Sequence, residues 1–300
     1  MDDPSSSVAA SDPAGTRASC PSCGASLTGR YCAECGERSV GREDLSVVAF
    51  VKDALYELAN VDSRIWRSLR SLLFQPGRLS EEYLAGRQRP WLGPVQLFLI
   101  CNVVFFVLLE FVPVYTFTTR LYDHLYSHPY SAWALGLEAR PGVSFRALVQ
   151  EREAFTAYAR TFDAVTAGLA KSLIFVMIPG IALVLHALHA RRRRYFVEHL
   201  VFATHLLAVL LMAIVVAVSA AYAVGRALVS FGLGFPRNED AFISLLLLGF
   251  FLPWLLPALR RFYDQGWGVA ALKVPLFIVG FYAVLVAYRF VLFLLTIRMV

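Results

Sequence analysis

The chain has 300 residues, a formal net charge of +6 and a hydrophobic content of 58%. That content exceeds the roughly 45–50% of soluble globular domains, so an ordinary soluble fold is excluded. In so apolar a chain, we expect the basic residues to set the orientation of membrane spans and to contact anionic lipid. We expect no nucleic-acid partner.

Residues 1–18, MDDPSSSVAASDPAGTRA, are rich in Ser, Ala and Pro. They contain no apolar stretch of the kind that a signal peptide carries. The segment predicts a disordered tail. The cysteines that follow it are then expected to stay reduced in the cytoplasm.

Residues 19–40 contain two C-x-x-C pairs separated by eight residues. The first pair is Cys20 and Cys23, and the second is Cys32 and Cys35. Each pair is followed by a glycine, which permits the left-handed backbone that turns amides toward thiolates. Four thiolates at this spacing predict a closed tetrahedral site, with zinc as the preferred ion.

The zinc ribbon predicted from these cysteines is too small to fold without its ion. We therefore expect it to have a structural or docking role and no catalytic one. Four free thiols, or a redox C-x-x-C pair, are the alternatives, although a redox pair lacks its usual βαβ context here.

Residues 45–92 predict short amphipathic helices, because apolar residues recur at helical spacing while arginines occupy the polar side. Basic helices just ahead of a membrane span most simply lie in the headgroup layer. Trp66 and Trp91 are then expected at the membrane interface. Binding a partner helix is the alternative.

Five apolar windows in residues 94–300 are each long enough to cross about 30 Å of hydrocarbon. They cover residues 95–112, 168–188, 200–224, 241–259 and 274–297. Residues 115–166 predict an outer loop between the first two spans. The sequence thus predicts an all-α polytopic membrane protein of about five transmembrane helices, preceded by interfacial helices and a zinc ribbon.

The positions of the arginines predict which ends of these spans lie on the cytoplasmic side of the membrane. The four arginines at residues 191–194 interrupt an apolar run and predict a hairpin whose tip stays in the cytoplasm. Arg87 and Arg89 before the first span, and Arg260 and Arg261 after the fourth, fall on the same side. The N-terminus is then cytoplasmic and the C-terminus outside.

Four stretches of the chain occur together in a specific order: CPSC with YCAECGE, VDSRIWRSLRSLLFQPGRLSEEYLAGRQRPWLGP, RRYFVEHLVFATH and ALRRFYDQGW. This combination resembles the bacterial membrane proteins grouped as domain of unknown function 3667. The resemblance implies a protein of the bacterial inner (cytoplasmic) membrane with an N-terminal zinc ribbon, and it carries no activity or catalytic residues. The family often has another histidine shortly after the position of His205, where this chain has Leu207 and Ala208, and this departure argues against a shared metal site there.

Ionisable residues at membrane depth are candidates for function, because burying them unpaired is costly. The arginine hairpin is flanked by five such residues: His186, His189, Glu198, His199 and His205. Antiparallel packing of the second and third spans brings His186, His189 and His199 to similar depth. Such a cluster suits a transition metal, a haem or a proton relay, while simple hydration or hydrogen bonding to the backbone is the structural alternative.

A second group of ionisable residues, Glu110, Lys171 and Arg289, falls at comparable depth near the outer ends of its spans. A pair of Glu110 with Arg289 or with Lys171 would reduce the cost of burial and fix how the spans pack. A gate or substrate contact is the alternative.

The chain contains none of the G-x-S-x-G, H-E-x-x-H, P-loop or Rossmann patterns, which argues against an enzyme. The favoured function is a docking, scaffold or regulatory membrane protein, whose ribbon and basic helices contact a cytoplasmic protein or the membrane surface. A small-solute or proton-linked transporter that uses the histidine-rich hairpin is the first alternative. An intramembrane enzyme or haem protein is the second.

Overall fold

The computed structural model describes residues 19–29, 31–37, 46, 64–109, 119–232 and 239–300. The predicted tail, residues 47–63 of the first amphipathic segment, and Glu110 lie outside the described residues. Helices make up most of the described chain, and its one sheet has two short strands. The protein is an all-α polytopic membrane protein.

The first helices of the described chain after the cysteine segment are α1 (Ile65–Phe74), α2 (Arg78–Leu84) and α3 (Pro94–Leu109). Gly77 separates the first two with a φ of +76°. A Cβ at this position would lie 3.0 Å from the carbonyl oxygen of Ala258, so glycine also permits a close approach between the chain segments. Helix α3 starts with proline, whose missing amide costs nothing in the first turn.

The next part of the chain, which the sequence predicted as an outer loop, is folded over its described residues 119–166. It contains α4 (Leu121–Tyr126), α5 (Ser131–Ala134), β1 (Glu138–Arg140), β2 (Val143–Ser144), α6 (Phe145–Leu148) and the start of α7 (Arg152–Leu173). A small apolar cluster that includes Phe145, Phe162 and Phe293 holds it together.

Helix α7 continues through a 3-10 turn (Ile174–Val176) into α8 (Met177–Leu188), and three long helices complete the chain: α9 (Phe196–Ser230), α10 (Glu239–Phe262) and α11 (Trp267–Ile297). Within the described residues, four helical stretches are long and apolar enough to cross a membrane: Arg152–Leu188, Phe196–Ser230, Phe242–Phe262 and Trp267–Ile297. Helix α3, where the first span was predicted, is a shorter apolar helix.

Helix α9 is the centre of the bundle. Its most apolar stretch is 89% buried, against 22% for α10 and 17% for α11. It contacts α3, α8 and α10, and every residue from Leu206 to Ile214 is apolar and buried. A helix that is apolar on all sides and buried on all sides forms a core, whereas the outer helices leave their apolar faces for lipid.

Helices α8 and α11 cross at two reciprocal glycine contacts. A Cβ on Gly180 would lie 2.8 Å from Cγ1 of Val284, and a Cβ on Gly280 would lie 2.5 Å from Cγ1 of Val184. Small residues let membrane helices approach closely, so these glycines fix the packing of α11 on α8.

The bundle has two ends of different character. At one end, Arg192 and Arg194 donate to the carbonyl oxygens of Asp264 and Phe262, and Arg261 pairs with Glu81. We call this the arginine-rich end. It comprises α1, α2 and residues 87–92, 189–199 and 259–267. At the opposite end, residues 119–166 meet the last turns of α11.

Candidate metal centre and the arginine-rich end

The four ribbon cysteines converge on one point. Cys20 Sγ lies 3.5 Å from Cys35 Sγ, and Cys23 Sγ lies 3.6 Å from Cys32 Sγ. All four sulfur atoms lie within 4.8 Å of one another. Thiolates at about 2.3 Å from a tetrahedral ion are about 3.8 Å apart, so this geometry fits a single metal ion.

The two C-x-x-C loops have the same local structure. Gly24 N donates to Cys20 O at 2.9 Å, and Gly36 N donates to Cys32 O at 2.8 Å. Both glycines have a positive φ, +79° and +71°. The two loops are therefore equivalent turns, and each contributes two thiolates to one centre.

Hydrogen bonds and crowding give these thiols different pKa values. A hydrogen bond from the backbone amide of Cys35 is the main cause that lowers the pKa of Cys32 to about 7. For Cys35, a backbone hydrogen bond involving Glu37 lowers the pKa, but burial and the neighbouring sulfurs outweigh it and raise the pKa to about 12. Four crowded thiolates therefore repel one another, and a divalent cation would remove that cost.

Among the residues that the structure describes, these cysteines are the only group of three or more His, Cys, Asp or Glu side chains placed to hold a metal ion. All four protein ligands point to one centre, which leaves no position open for a substrate. The arrangement therefore suits a structural site.

Glu37, which sequence reasoning missed, connects the ribbon to the membrane part. Its side chain is 3% exposed. Its carboxylate accepts hydrogen bonds from Gln88 N at 3.3 Å and Arg89 N at 3.0 Å, in the loop before α3. Ser22 of the ribbon donates to the same carboxylate at 2.6 Å. We call these contacts of Glu37 the Glu37 clasp.

The loop that Glu37 holds is itself fixed to the helices. Arg64 donates to the carbonyl oxygens of Arg89 and Trp91, both at 3.2 Å. Leu92 N donates to Ser68 Oγ at 2.9 Å. Because these bonds fold the loop onto α1, Trp91 is buried in the core, and its position at the membrane interface stays a prediction.

Two of the hairpin histidines contact Tyr263, and a third, His186, contacts one of them. The His189 ring stacks on Tyr263 with centroids 3.5 Å apart. His199 Nδ1 lies 2.8 Å from the Tyr263 hydroxyl, and the His186 and His199 rings are 5.1 Å apart. Tyr263 lies in the loop between α10 and α11, so this group joins two loops at the arginine-rich end.

His205 and Glu198 are separate from that group. His205 Nδ1 lies 2.8 Å from Ser80 Oγ in a buried contact that anchors α2 on α9. Glu198 pairs with Arg194 at 2.9 Å. The five predicted residues are thus divided among three contacts, each of which supports packing.

The second predicted group is described only in part. Lys171 is exposed, and its carbonyl oxygen accepts from Asn102 Nδ2 at 3.3 Å. Arg289 lies near His128, whose pKa is lowered by burial and by the Arg289 charge. Since Glu110 is outside the described residues, its pairing remains a prediction.

The stretch that binds the ribbon and anchors α2 has a family match. Residues 62–106 match the family DUF3667, described as a protein of unknown function. The DUF3667 stretch contains Gln88 and Arg89, which Glu37 holds, and Ser80, the partner of His205. The match confirms the resemblance seen in the sequence. No curated protein and no solved structure matches the chain.

Proposed function

We propose that the protein is a non-enzymatic docking or regulatory protein of the bacterial inner membrane, whose zinc-bound ribbon engages a cytoplasmic protein. The Glu37 clasp carries this proposal, because it links the state of the ribbon to the membrane helices. The arginine-rich end is then cytoplasmic, and the C-terminus is outside.

A ribbon with a closed metal site acts through its surface. Zinc is the ion best suited to four thiolates, and it leaves the ribbon with no chemistry of its own. The Tyr31 side chain is 62% exposed between the two cysteine pairs. Exposed tyrosines are frequent anchors of protein interfaces, so Tyr31 is the first candidate for a partner contact.

The Glu37 clasp connects the position of the ribbon to the loop before α3. Glu37 is buried and accepts two backbone hydrogen bonds from the loop at residues 88–89. Removing the ion unfolds a ribbon of this size, and the carboxylate then leaves the loop. A partner that shifts or stabilises the ribbon therefore acts on the start of α3.

The packing of α9 favours this role over transport. Beyond His205, the helix continues through nine consecutive buried apolar residues, Leu206 to Ile214. A polar route from the histidines along the axis of the bundle would have to pass this segment. The histidines themselves contact Tyr263, Ser80 and the backbone, as packing residues do.

Photo-crosslinking in cells tests the proposal. We place a benzophenone amino acid at Tyr31 and compare the native cysteines with Cys20→Ser/Cys23→Ser. The expected result is a discrete protein adduct that disappears in the cysteine variant. The same probe at Trp133, which is 50% exposed at the opposite end, is the matched control.

Two outcomes contradict docking: no adduct at Tyr31, or an adduct that persists unchanged without the cysteines. His186→Ala changes an exposed side chain of the hairpin, and a docking protein should tolerate it.

Proton-linked transport is the second candidate, favoured by one observation. Nε2 of His199 and Nε2 of His205 are buried without a hydrogen-bond partner in the described structure. Proteoliposomes under a pH gradient test it. Transport predicts proton flux that His199→Gln abolishes, while docking predicts no flux above that of empty vesicles.

A further inference from the structure

Helix α1 turns its largest aromatic side chains outward. Trp66 is 81% exposed and Phe74 is 74% exposed, whereas Ser68 and Ser71 are buried. Ser68 Oγ accepts a hydrogen bond from Leu92 N, and Leu72 is buried in the core, so the inner side of the helix packs on the protein without Trp66 or Phe74. The two aromatic side chains on the outer face therefore have no role in packing on the core.

The exposed face is also basic. Trp66, Arg70 and Phe74 follow one another at intervals of four residues, which places them on one side of the helix. Arg67 is exposed beside them. The helix, IWRSLRSLLF, contains no acidic residue. A face with aromatic side chains and uncompensated arginines is complementary to anionic phospholipid.

The position of α1 brings this face to the depth of the lipid headgroups. Trp254 Nε1 donates to the carbonyl oxygen of Leu72 at 2.9 Å. Trp254 precedes Phe262, the last residue of α10, by about two turns, or about 12 Å along the axis. The C-terminal part of α1 therefore lies beside the transmembrane helices and not beyond their ends.

Other exposed side chains at this end have the same chemistry. Trp267 is 54% exposed, and the Arg260 guanidinium lies 4.6 Å from the centre of its ring. Tyr195 is 52% exposed next to the hairpin arginines. Aromatic and basic residues at one level around a bundle mark the boundary between hydrocarbon and headgroups. The face of α1 continues that belt.

We infer that the face formed by Trp66, Arg67, Arg70 and Phe74 binds anionic phospholipid in the leaflet that surrounds the arginine-rich end. Trp66 and Phe74 enter the upper acyl region. Arg67 and Arg70 contact lipid phosphate. The bilayer is the occupant because it lies directly against this face wherever the bundle is inserted.

Fluorescence quenching by brominated lipids tests the inference on the full-length protein. The chain has five tryptophans, so the signal of Trp66 is taken as the difference between the native protein and Trp66→Phe, both reconstituted in vesicles. We expect brominated acyl chains to quench this signal. We also expect brominated phosphatidylglycerol to quench it more strongly than brominated phosphatidylcholine at the same mole fraction.

The preference for the anionic lipid should depend on the two arginines. The quenching ratio is the quenching by brominated phosphatidylglycerol divided by that by brominated phosphatidylcholine. One basic residue near an anionic surface strengthens binding of anionic lipid about fivefold, so Arg67→Gln/Arg70→Gln should lower this ratio severalfold, toward one. Arg146→Gln/Arg160→Gln makes the same charge change on exposed residues at the opposite end and should leave the ratio unchanged.

Three results would overturn the inference. The first is a Trp66 signal that aqueous iodide quenches and brominated lipid does not. The second is shielding from both quenchers together with crosslinking between copies, which would assign the face to a second chain. The third is a quenching ratio that both arginine pairs alter equally.

Discussion

The two ends of the bundle contain the same small unit in different settings. At the arginine-rich end, His199 Nδ1 lies 2.8 Å from the hydroxyl of Tyr263, 64 residues away in the chain. At the opposite end, His124 Nδ1 lies 2.7 Å from the hydroxyl of Tyr130, only six residues away. Both histidines are fully buried.

The difference lies in what each unit connects. The first joins the hairpin and the loop between α10 and α11, and it lies at the end that carries α1, α2 and the ribbon. The second closes a local turn over Phe293, on which His124 stacks at 4.8 Å. A buried histidine bound to a tyrosine is thus a packing device in this protein. Only at the arginine-rich end does the hydrogen bond between histidine and tyrosine itself join distant segments.

Metal removal should produce the largest difference in stability between the two ends. Chelation, or Cys20→Ser/Cys23→Ser, should unfold the ribbon outright, because so short a segment depends on its ion. Limited proteolysis at residues 19–37 should rise sharply, while residues 119–148 keep their protection. Equal loss of protection at both ends would mean that the ends are not independent.

Removing the tyrosine hydroxyls should distinguish a distant link from a local one. Tyr263→Phe leaves His199 Nδ1 buried without a partner, which should cost about 2 kcal/mol of unfolding free energy. Tyr130 is partly exposed, so water can replace the hydroxyl, and Tyr130→Phe should cost less than about 1 kcal/mol. Denaturant titration in detergent measures both. A larger loss in Tyr130→Phe would reverse the comparison.

The contact that anchors α2 should contribute somewhat less. Ser80→Ala removes the partner of His205 Nδ1, and we expect a cost of about 1 to 1.5 kcal/mol. Ser230→Ala, at an exposed position near the other end of α9, is the control and should change stability by less than about 0.5 kcal/mol. If the two variants were equally stable, the contact between Ser80 and His205 would not hold α2.

Mild acid should weaken both ends slightly. Burial lowers the pKa of His189 to about 4, from an ordinary value of 6.5. The unfolded chain therefore binds more protons between these pH values, so stability falls as the pH decreases through that window. From pH 7 to pH 6 the loss should be below about 1 kcal/mol for this histidine.

His124 gives the corresponding effect at the opposite end. Burial, with the charges of His128 and Arg289, lowers its pKa to about 3. His189→Gln and His124→Gln should each flatten the pH dependence of thermal unfolding. A pH profile that neither change affects would contradict the assignment of these rings as buried and neutral.

Local pattern predicted much of the architecture. Two C-x-x-C pairs separated by eight residues imply convergence of four sulfurs, and long apolar runs imply spans, because both signals depend on neighbouring residues. The resemblance to domain of unknown function 3667 also depended on ordered local stretches. These parts of the prediction required no knowledge of distant contacts.

The contacts that hold the ribbon and α2 in place join residues that are far apart in the sequence. Glu37 reaches Gln88 and Arg89, more than 50 residues away, and nothing in its sequence context marks it. Ser80 and His205 are 125 residues apart. In the sequence, the histidines near the hairpin had the same pattern as ligands. Only their contacts with Tyr263 and Ser80 give them a structural role.

The folded region at the opposite end was missed for a related reason. Helices α4 to α6 have between four and six residues each, too short for a periodic apolar pattern. Their core is completed by Phe293, which lies in the last span. No local signal could assign that residue to this cluster.

The Glu37 clasp is the central claim, and hydrogen exchange at the loop before α3 tests it most directly. Exchange of the Gln88 and Arg89 amides is measured with zinc, after chelation, and in Glu37→Gln. Glu34→Gln, an exposed acidic neighbour in the ribbon, is the control. We predict slow exchange in the zinc-bound native protein and in Glu34→Gln, and faster exchange after chelation and in Glu37→Gln. Equal exchange in all four samples would contradict the coupling of the ribbon to the membrane helices.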